Sequence, residues 1–212
     1  MSNTKSQKQL TLPYTYLNEG SGFDDTNIVE LNIPNVIIAQ NDCFSHHNKI
    51  KKINAPNLIK AGENFLSLCF HIESVSFPEL FFVDNGFLSS AQKLHTLNAP
   101  KLEYIGEDAL FYNTEIENLT LPKLRFIEEA FMLNNKKMHT LNAPKVERIF
   151  DNCFYRNTEL AILYLPNLTS IGNDVLHDNK KIKQLHAPKL TSAGSGCNPI
   201  FYKVIEQNMK HK

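Results

Sequence analysis

A proline returns on a fixed beat through this chain: Pro34, Pro56, Pro78, Pro100, Pro122, Pro144, Pro166 and Pro188 stand 22 residues apart, without one insertion. A period held that strictly means one short structural unit is copied and its copies stack, because a unit of this size cannot bury its apolar face alone. The span Pro100 to Leu121 shows the unit. Ile116, Leu119 and Leu121 alternate toward its end, the period-2 signal of a half-buried strand. The next proline stops the strand, since it lacks the N–H needed to extend a parallel ladder. Beyond the proline, Leu102 and Ile105 are expected to return to the core, Gly106 to allow a bend, and Ala109 and Leu110 to anchor the far side. Asn113, with Asn135, Asn157 and Asn179 at the same place, is expected to bond local backbone where the chain turns.

Strands are therefore predicted at 28–33, 50–55, 72–77, 94–99, 116–121, 138–143, 160–165 and 182–187. A degenerate turn precedes them, where Leu10-Thr-Leu-Pro13 echoes Leu119-Thr-Leu-Pro122 and Leu17, Phe23 and Ile28 follow. After a broken last rung, Ile200, Phe201, Val204 and Ile205 are expected to fold over the open end as a cap. The resulting division is a tail and degenerate capping repeat over 1–27, an eight-strand solenoid over 28–193, and a C-terminal cap and tail over 194–212.

A second period overlies the first. The residue before each proline runs Ala55, Phe77, Ala99, Leu121, Ala143, Leu165, Ala187, so small and large side chains alternate up one column and successive rungs interdigitate. The string His-Thr-Leu-Asn-Ala-Pro-Lys at 95–101 and again at 139–145 shows the same two-rung unit.

The repeat also disposes of most candidate chemistry. Cys43, Cys153 and Cys197 share the ninth place after a proline with Phe65, Phe87 and Phe131, and so read as buried small hydrophobes. Neighbouring strands lie about 4.8 Å apart, which puts Cys43 and Cys153 about 24 Å from one another, beyond a disulfide. No CxxC pair is present to suggest zinc or redox chemistry. His95 and His139 are two rungs, about 10 Å, apart and cannot share a metal ion; His46, His47 and His71 form the only closer histidine group. Gly62, Gly106, Gly172 and Gly194 are spread one to a rung rather than clustered as a phosphate cradle. No nucleophile, base and orienting group converge. The expectation is a non-enzyme without cofactor or metal.

Twenty-two basic residues balance 22 acidic ones, so a polyanion such as nucleic acid is not an expected partner. The first nine residues lack the apolar core of a signal peptide, and no run of about 18 apolar residues could insert into a membrane. The chain is expected to be cytoplasmic as synthesised, reaching a host cell only by a route independent of a signal peptide. The fifteenth place after each proline reads Lys93, Glu115, Lys137, Glu159, Lys181, which predicts a ladder of weak surface ion pairs.

The pattern L-x-x-L-x-L with a second apolar stripe is the leucine-rich-repeat signature. In detail, Ile105-Gly106, Ala109-Leu110 and Ile116-x-x-Leu119-x-Leu121-Pro122 resemble the BspA-like leucine-rich repeats of bacterial surface proteins and some protozoa, over about residues 28–190. That resemblance implies an α/β or mainly-β solenoid, a right-handed superhelix with a parallel sheet on its concave face and short helical or irregular turns on its convex side. The chain departs from the family at the thirteenth place, where only Cys69 keeps the usual cysteine and asparagine stands in the later rungs.

Two surfaces are left unexplained by the repeat. On the strand face, small polar residues give way at Ile162 and Tyr164, followed one rung later by His186; an exposed aromatic beside an aliphatic has the composition of an interface anchor. At the fourth place after the proline, three successive rungs carry Phe82, Tyr104 and Phe126, with Phe81 adjacent. Those rings either pack on neighbouring lysine stems or form an apolar stripe for a partner, including a second copy of the chain. The function this predicts is binding of another protein by a bacterial protein acting in the cytoplasm or delivered into a host. The alternative is a cell-surface adhesin or carbohydrate-binding structural protein.

Overall fold

Each rung contributes a three-residue strand to a first parallel sheet: Gln9–Thr11, Glu30–Asn32, Lys52–Asn54, Ser74–Ser76, Thr96–Asn98, Asn118–Thr120, Thr140–Asn142, Ile162–Tyr164 and Gln184–His186. They form the core of the predicted strands in a computed structural model that describes residues 8–19 and 27–210; Phe23 and the end of the tail lie outside the described residues. Register follows the sequence period, Leu119 pairing with Leu141 and Leu141 with Leu163. In every rung the central residue points inward and its two neighbours outward, as the pleat requires. The alternating column before the prolines is buried throughout, and Phe77 packs between Phe65 and Phe87 with ring centroids 6.2 and 6.1 Å away.

Past each proline the chain forms a second strand of two residues, from Tyr16–Leu17 and Ile38–Ala39 through Tyr104–Ile105 to Ser192–Ala193. These stack as a second parallel sheet. The edge after the first strand is thus itself a sheet, and its outward column is the one that carries Phe82, Tyr104 and Phe126.

The turn that closes each rung takes a regular, non-helical form. Every second residue has positive φ, as at Asp108, Leu110 and Tyr112 (54°, 56° and 55°). A left-handed conformation costs a side-chain-bearing residue about 1–2 kcal/mol, and here hydrogen bonds between rungs offset it. The Asp108 and Tyr112 amides donate forward to Glu129 and Leu133, while the Leu110 amide donates back to Phe87, all at 2.9–3.0 Å. The carbonyl of the middle left-handed residue is then capped by the asparagine column. Asn113 Nδ2 donates to the Leu88 carbonyl, Asn135 to Leu110 and Asn179 to Phe154, each at 2.9 Å. The bond is to the preceding rung rather than to local backbone, because a parallel stack brings that carbonyl closer than anything the asparagine's own loop offers. Cys69 makes the same contact with the Phe44 carbonyl at 3.3 Å, which explains how asparagine stands in for cysteine at this place.

Gly106 serves space rather than bending. A Cβ there would lie 2.6 Å from the Asn85 backbone nitrogen of the preceding rung, and its φ is not left-handed. The four cysteines are buried. Ion pairs at the fifteenth place form at alternate junctions only, Lys137 with Glu115 and Lys181 with Glu159, both at 2.6 Å. Among the described residues no ion pair joins Lys93 to Glu115, so the expected continuous ladder is a set of separate pairs.

Both sheets are interrupted at one junction, between the rung of Thr96–Ile105 and that of Asn118–Ile127; the first sheet also breaks between Lys52–Asn54 and Ser74–Ser76. At the shared junction the turn ladder stays continuous, and beside the second sheet one bond, from the Arg125 amide to the Glu103 carbonyl at 3.2 Å, still crosses. The first rung is one residue shorter between its two strands than those that follow, pairing Gln9 with Glu30 but Tyr16 with Ile38. At the other end the helix Pro199–Lys210 covers the last rung and buries Phe201. Asn198 caps it, its Oδ1 accepting from the Ile200 amide at 3.1 Å, and proline suits the first helical position. Asn208 Nδ2 donates to the Ala187 and Leu190 carbonyls at 3.0 and 2.9 Å, supplying donors that a further rung would otherwise bring. No helix among the described residues is long and apolar enough to cross a membrane.

Candidate interaction surfaces

The outward face of the first sheet is mostly a ladder of small polar side chains. Asn54 Nδ2 donates to Asn32 Oδ1 at 2.7 Å and Asn98 Nδ2 to Ser76 Oγ at 2.9 Å. The same column reaches Tyr164 and His186, whose rings stack with centroids 5.0 Å apart and planes within 6°. In-register parallel strands put residues 22 apart side by side at about 4.8 Å, so two flat rings in matching orientation stack face to face. Tyr164 is 44% exposed and Ile162 38%, a pair of large apolar groups on an otherwise polar sheet.

The C-terminal helix turns that pair into a cleft. Ile162, Tyr164 and His186 form one wall, and Ile200, Lys203 and Val204 the other, around a volume of about 430 Å³. Ile200, Lys203, Val204 and Gln207 share one helical face by their spacing of three and four, while Phe201 faces the core. The helix was legible as a cap from its apolar residues; its second face as a wall for the sheet residues depends on how it crosses the last rung, which no local signal encodes.

On the second sheet, Phe82 and Tyr104 stack with centroids 4.6 Å apart and planes within 5°, and Lys60 Nζ sits 4.9 Å from the Phe82 ring. Both rings are half-buried. Phe82 and Tyr104 thus pack on one another, with the Lys60 ammonium over the Phe82 ring. Phe126 is separate: its ring lies under the Arg125 guanidinium at 5.4 Å, with no ring contact to Tyr104. What remains open is the adjacent column, where Ile59 is 44% and Phe81 47% exposed. The margin of this face is acidic. Burial, followed by the carboxylates of Glu128, Asp84 and Glu107, pushes the Tyr104 hydroxyl above its ordinary range, and burial together with Glu107 raises the Glu128 carboxyl.

A third column, at the eleventh place after each proline, runs Ser45, Ser67, Ser89 and then Phe111, Leu133, Tyr155, His177. Tyr155 and His177 stack at 5.2 Å with planes within 3°, and the Arg156 guanidinium lies 5.2 Å from the Tyr155 ring. The 22-residue ruler carries this signal, a switch from serine to large side chains halfway along the chain. Among the described residues no group of three His, Cys, Asp or Glu side chains is placed to hold a metal ion.

Comparison with known proteins places this geometry. The solenoid is similar to the crystal structure of a leucine-rich repeat protein from Bacteroides ovatus, with a TM-score of 0.70 at 17% identity, over 85% of this chain and 49% of that one. It is similar as well to the leucine-rich repeat protein of T. pallidum, with a TM-score of 0.69 at 13% identity, over 91% of this chain and 86% of that one. The chain spans about half the length of the Bacteroides protein. At such identities the likeness is one of fold. No curated protein matches the chain significantly. The pattern of the BspA-type leucine-rich repeat region matches residues 17–139 and 83–203, in six copies. With nearly the whole solenoid covered by that pattern and folded as it implies, the chain belongs to the BspA-type leucine-rich repeat family.

Proposed function

We propose that this chain is a non-catalytic module that binds another protein through the C-terminal end of its first sheet. The observation that carries the reading is the exposed pair Ile162 and Tyr164, with Tyr164 stacked on His186 and walled by the C-terminal helix. A rigid aromatic on a stacked platform presents a large apolar area at low entropic cost, and such anchors dominate interface energetics. Elsewhere on the sheet face small polar side chains such as Asn54 with Asn32 and Asn98 with Ser76 pair with one another, which supports the reading by contrast. Phe81 and Ile59, just before the second-sheet strands, are a secondary contact area in this account, since Phe82 and Tyr104 already pack on their neighbours. Affinity capture under reducing conditions, followed by mass spectrometry, tests it with the wild-type chain and a folded Tyr164→Ala variant. A protein retained by the wild type and lost from the variant is the expected result; an unchanged set of retained proteins discards the cleft as the binding site.

A further inference from the structure

We infer that the cleft between the last two first-sheet strands and the C-terminal helix takes an acidic peptide segment that also carries an aliphatic or aromatic side chain. The inference rests on the protein-binding reading above and adds the chemistry of the partner.

Four lysines of this solenoid are matched by a glutamate one rung away. Lys52 meets Glu30, Lys101 meets Glu79, Lys137 meets Glu115 and Lys181 meets Glu159, each 22 residues apart. Lys183 has no such match. One rung back its column holds Ala161, and on the other side the helix takes the place of a further rung. That helix brings a second lysine, Lys203, to the same cleft. No ion pair involves Lys183 or Lys203 among the described residues, and no Asp or Glu lines the cleft. Glu206, the one carboxylate of the helix, lies off the lining face. Two lysines without an ion pair lining one concavity that holds no Asp or Glu favour a carboxylate ligand, and such complementarity governs which partner is accepted.

The remaining lining selects among anions. Ile162, the Tyr164 ring, Ile200 and Val204 offer an apolar floor that a simple polyanion cannot use, and 430 Å³ is within the range that holds a large side chain and its backbone. The amides of Gln184 and Gln207 at the same cleft supply both donors and acceptors for a peptide backbone. A segment with carboxylates beside an apolar side chain satisfies every wall.

Fluorescence anisotropy with a short labelled peptide of alternating glutamate and leucine tests this at physiological ionic strength. Saturable binding is expected, weakened by about tenfold or more in a Lys183→Gln/Lys203→Gln double variant and in Tyr164→Ala. The paired surface lysine variant Lys101→Gln should bind as the wild type does. The same loss is expected when glutamine replaces glutamate in the peptide, or when leucine is removed to leave polyglutamate. Absence of saturable binding, equal binding of the glutamine peptide, or a heparin fragment binding in its place overturns the inference. If the double lysine variant keeps a natural partner that Tyr164→Ala loses, the cleft remains a protein-binding site and the acidic chemistry is discarded.

Discussion

The two halves of the solenoid share one core and wear their large surface side chains on different faces. In the N-terminal half the second sheet carries Ile38, Phe82 and Tyr104, with Phe81 just before its strand, while the turns show Ser45, Ser67 and Ser89. In the C-terminal half the second-sheet column keeps Phe126 at its first rung and then falls to Arg148, Ser170 and Ser192, while large groups run through Phe111, Leu133, Tyr155 and His177 on the turns and Ile162 and Tyr164 on the first sheet. Both sheets break between the rungs of Thr96–Ile105 and Asn118–Ile127, near where the surface pattern changes. A stacked fold can thus vary its outward columns independently while each inward column stays fixed, because outward side chains touch only their neighbours one rung away.

If the core is common to both halves, Phe87→Ala and Phe154→Ala, one on each side of the break, should each cost about 3–5 kcal/mol in urea unfolding. Markedly unequal costs would show that the halves are packed differently. The asparagine column belongs mainly to the C-terminal half, where Asn135→Ala should cost about 1–3 kcal/mol through the uncapped Leu110 carbonyl. Asn135→Cys should recover part of that loss, since Cys69 makes the equivalent contact.

The buried thiols give both halves a pH dependence, Cys69 in the first and Cys153 in the second, each raised by burial; the Cys69 share can be isolated by substitution. Burial pushes the Cys69 thiol from an ordinary 9.0 up to about 12. The unfolded chain ionises first, so the stabilising contribution is complete below the unfolded value and is lost as pH rises toward the folded one. The loss should reach about 1.4 kcal/mol one pH unit above the unfolded value, and a Cys69→Ala variant should show a shallower decline in its urea midpoint over the same range. The smallest effects separate the two aromatic surfaces. Tyr104→Ala removes a half-buried stacked ring and should cost about 1 kcal/mol, whereas Tyr164→Ala should stay within about 0.5 kcal/mol and act on binding instead.

The proline beat and the leucines around Leu119 made the rungs and the first sheet legible, because a period-2 pattern repeated at 22 residues leaves one register. The second sheet was not legible, since strands of two residues are too short to show a period. Nor were the left-handed turns, because Leu110, Tyr112 and Arg156 carry no local mark of positive φ and are held there by hydrogen bonds from other rungs. The same non-local cause misdirected the readings of Gly106 and Asn113: one makes room for the Asn85 backbone and the other bonds to Leu88, both in the rung before. Tyr164 could be singled out by its column alone. Its stacking on His186 followed from register, while the lysine-bearing wall opposite it came from the crossing of the helix.

Hydrogen exchange on the complex with a captured partner tests the central claim most directly. Protection confined to residues 162–164, 183–186 and 200–207 is the predicted footprint, with the second sheet from Ile59 to Phe126 exchanging as in the free chain. A footprint over Ile59, Phe81 and Tyr104 with none at Tyr164 would contradict it.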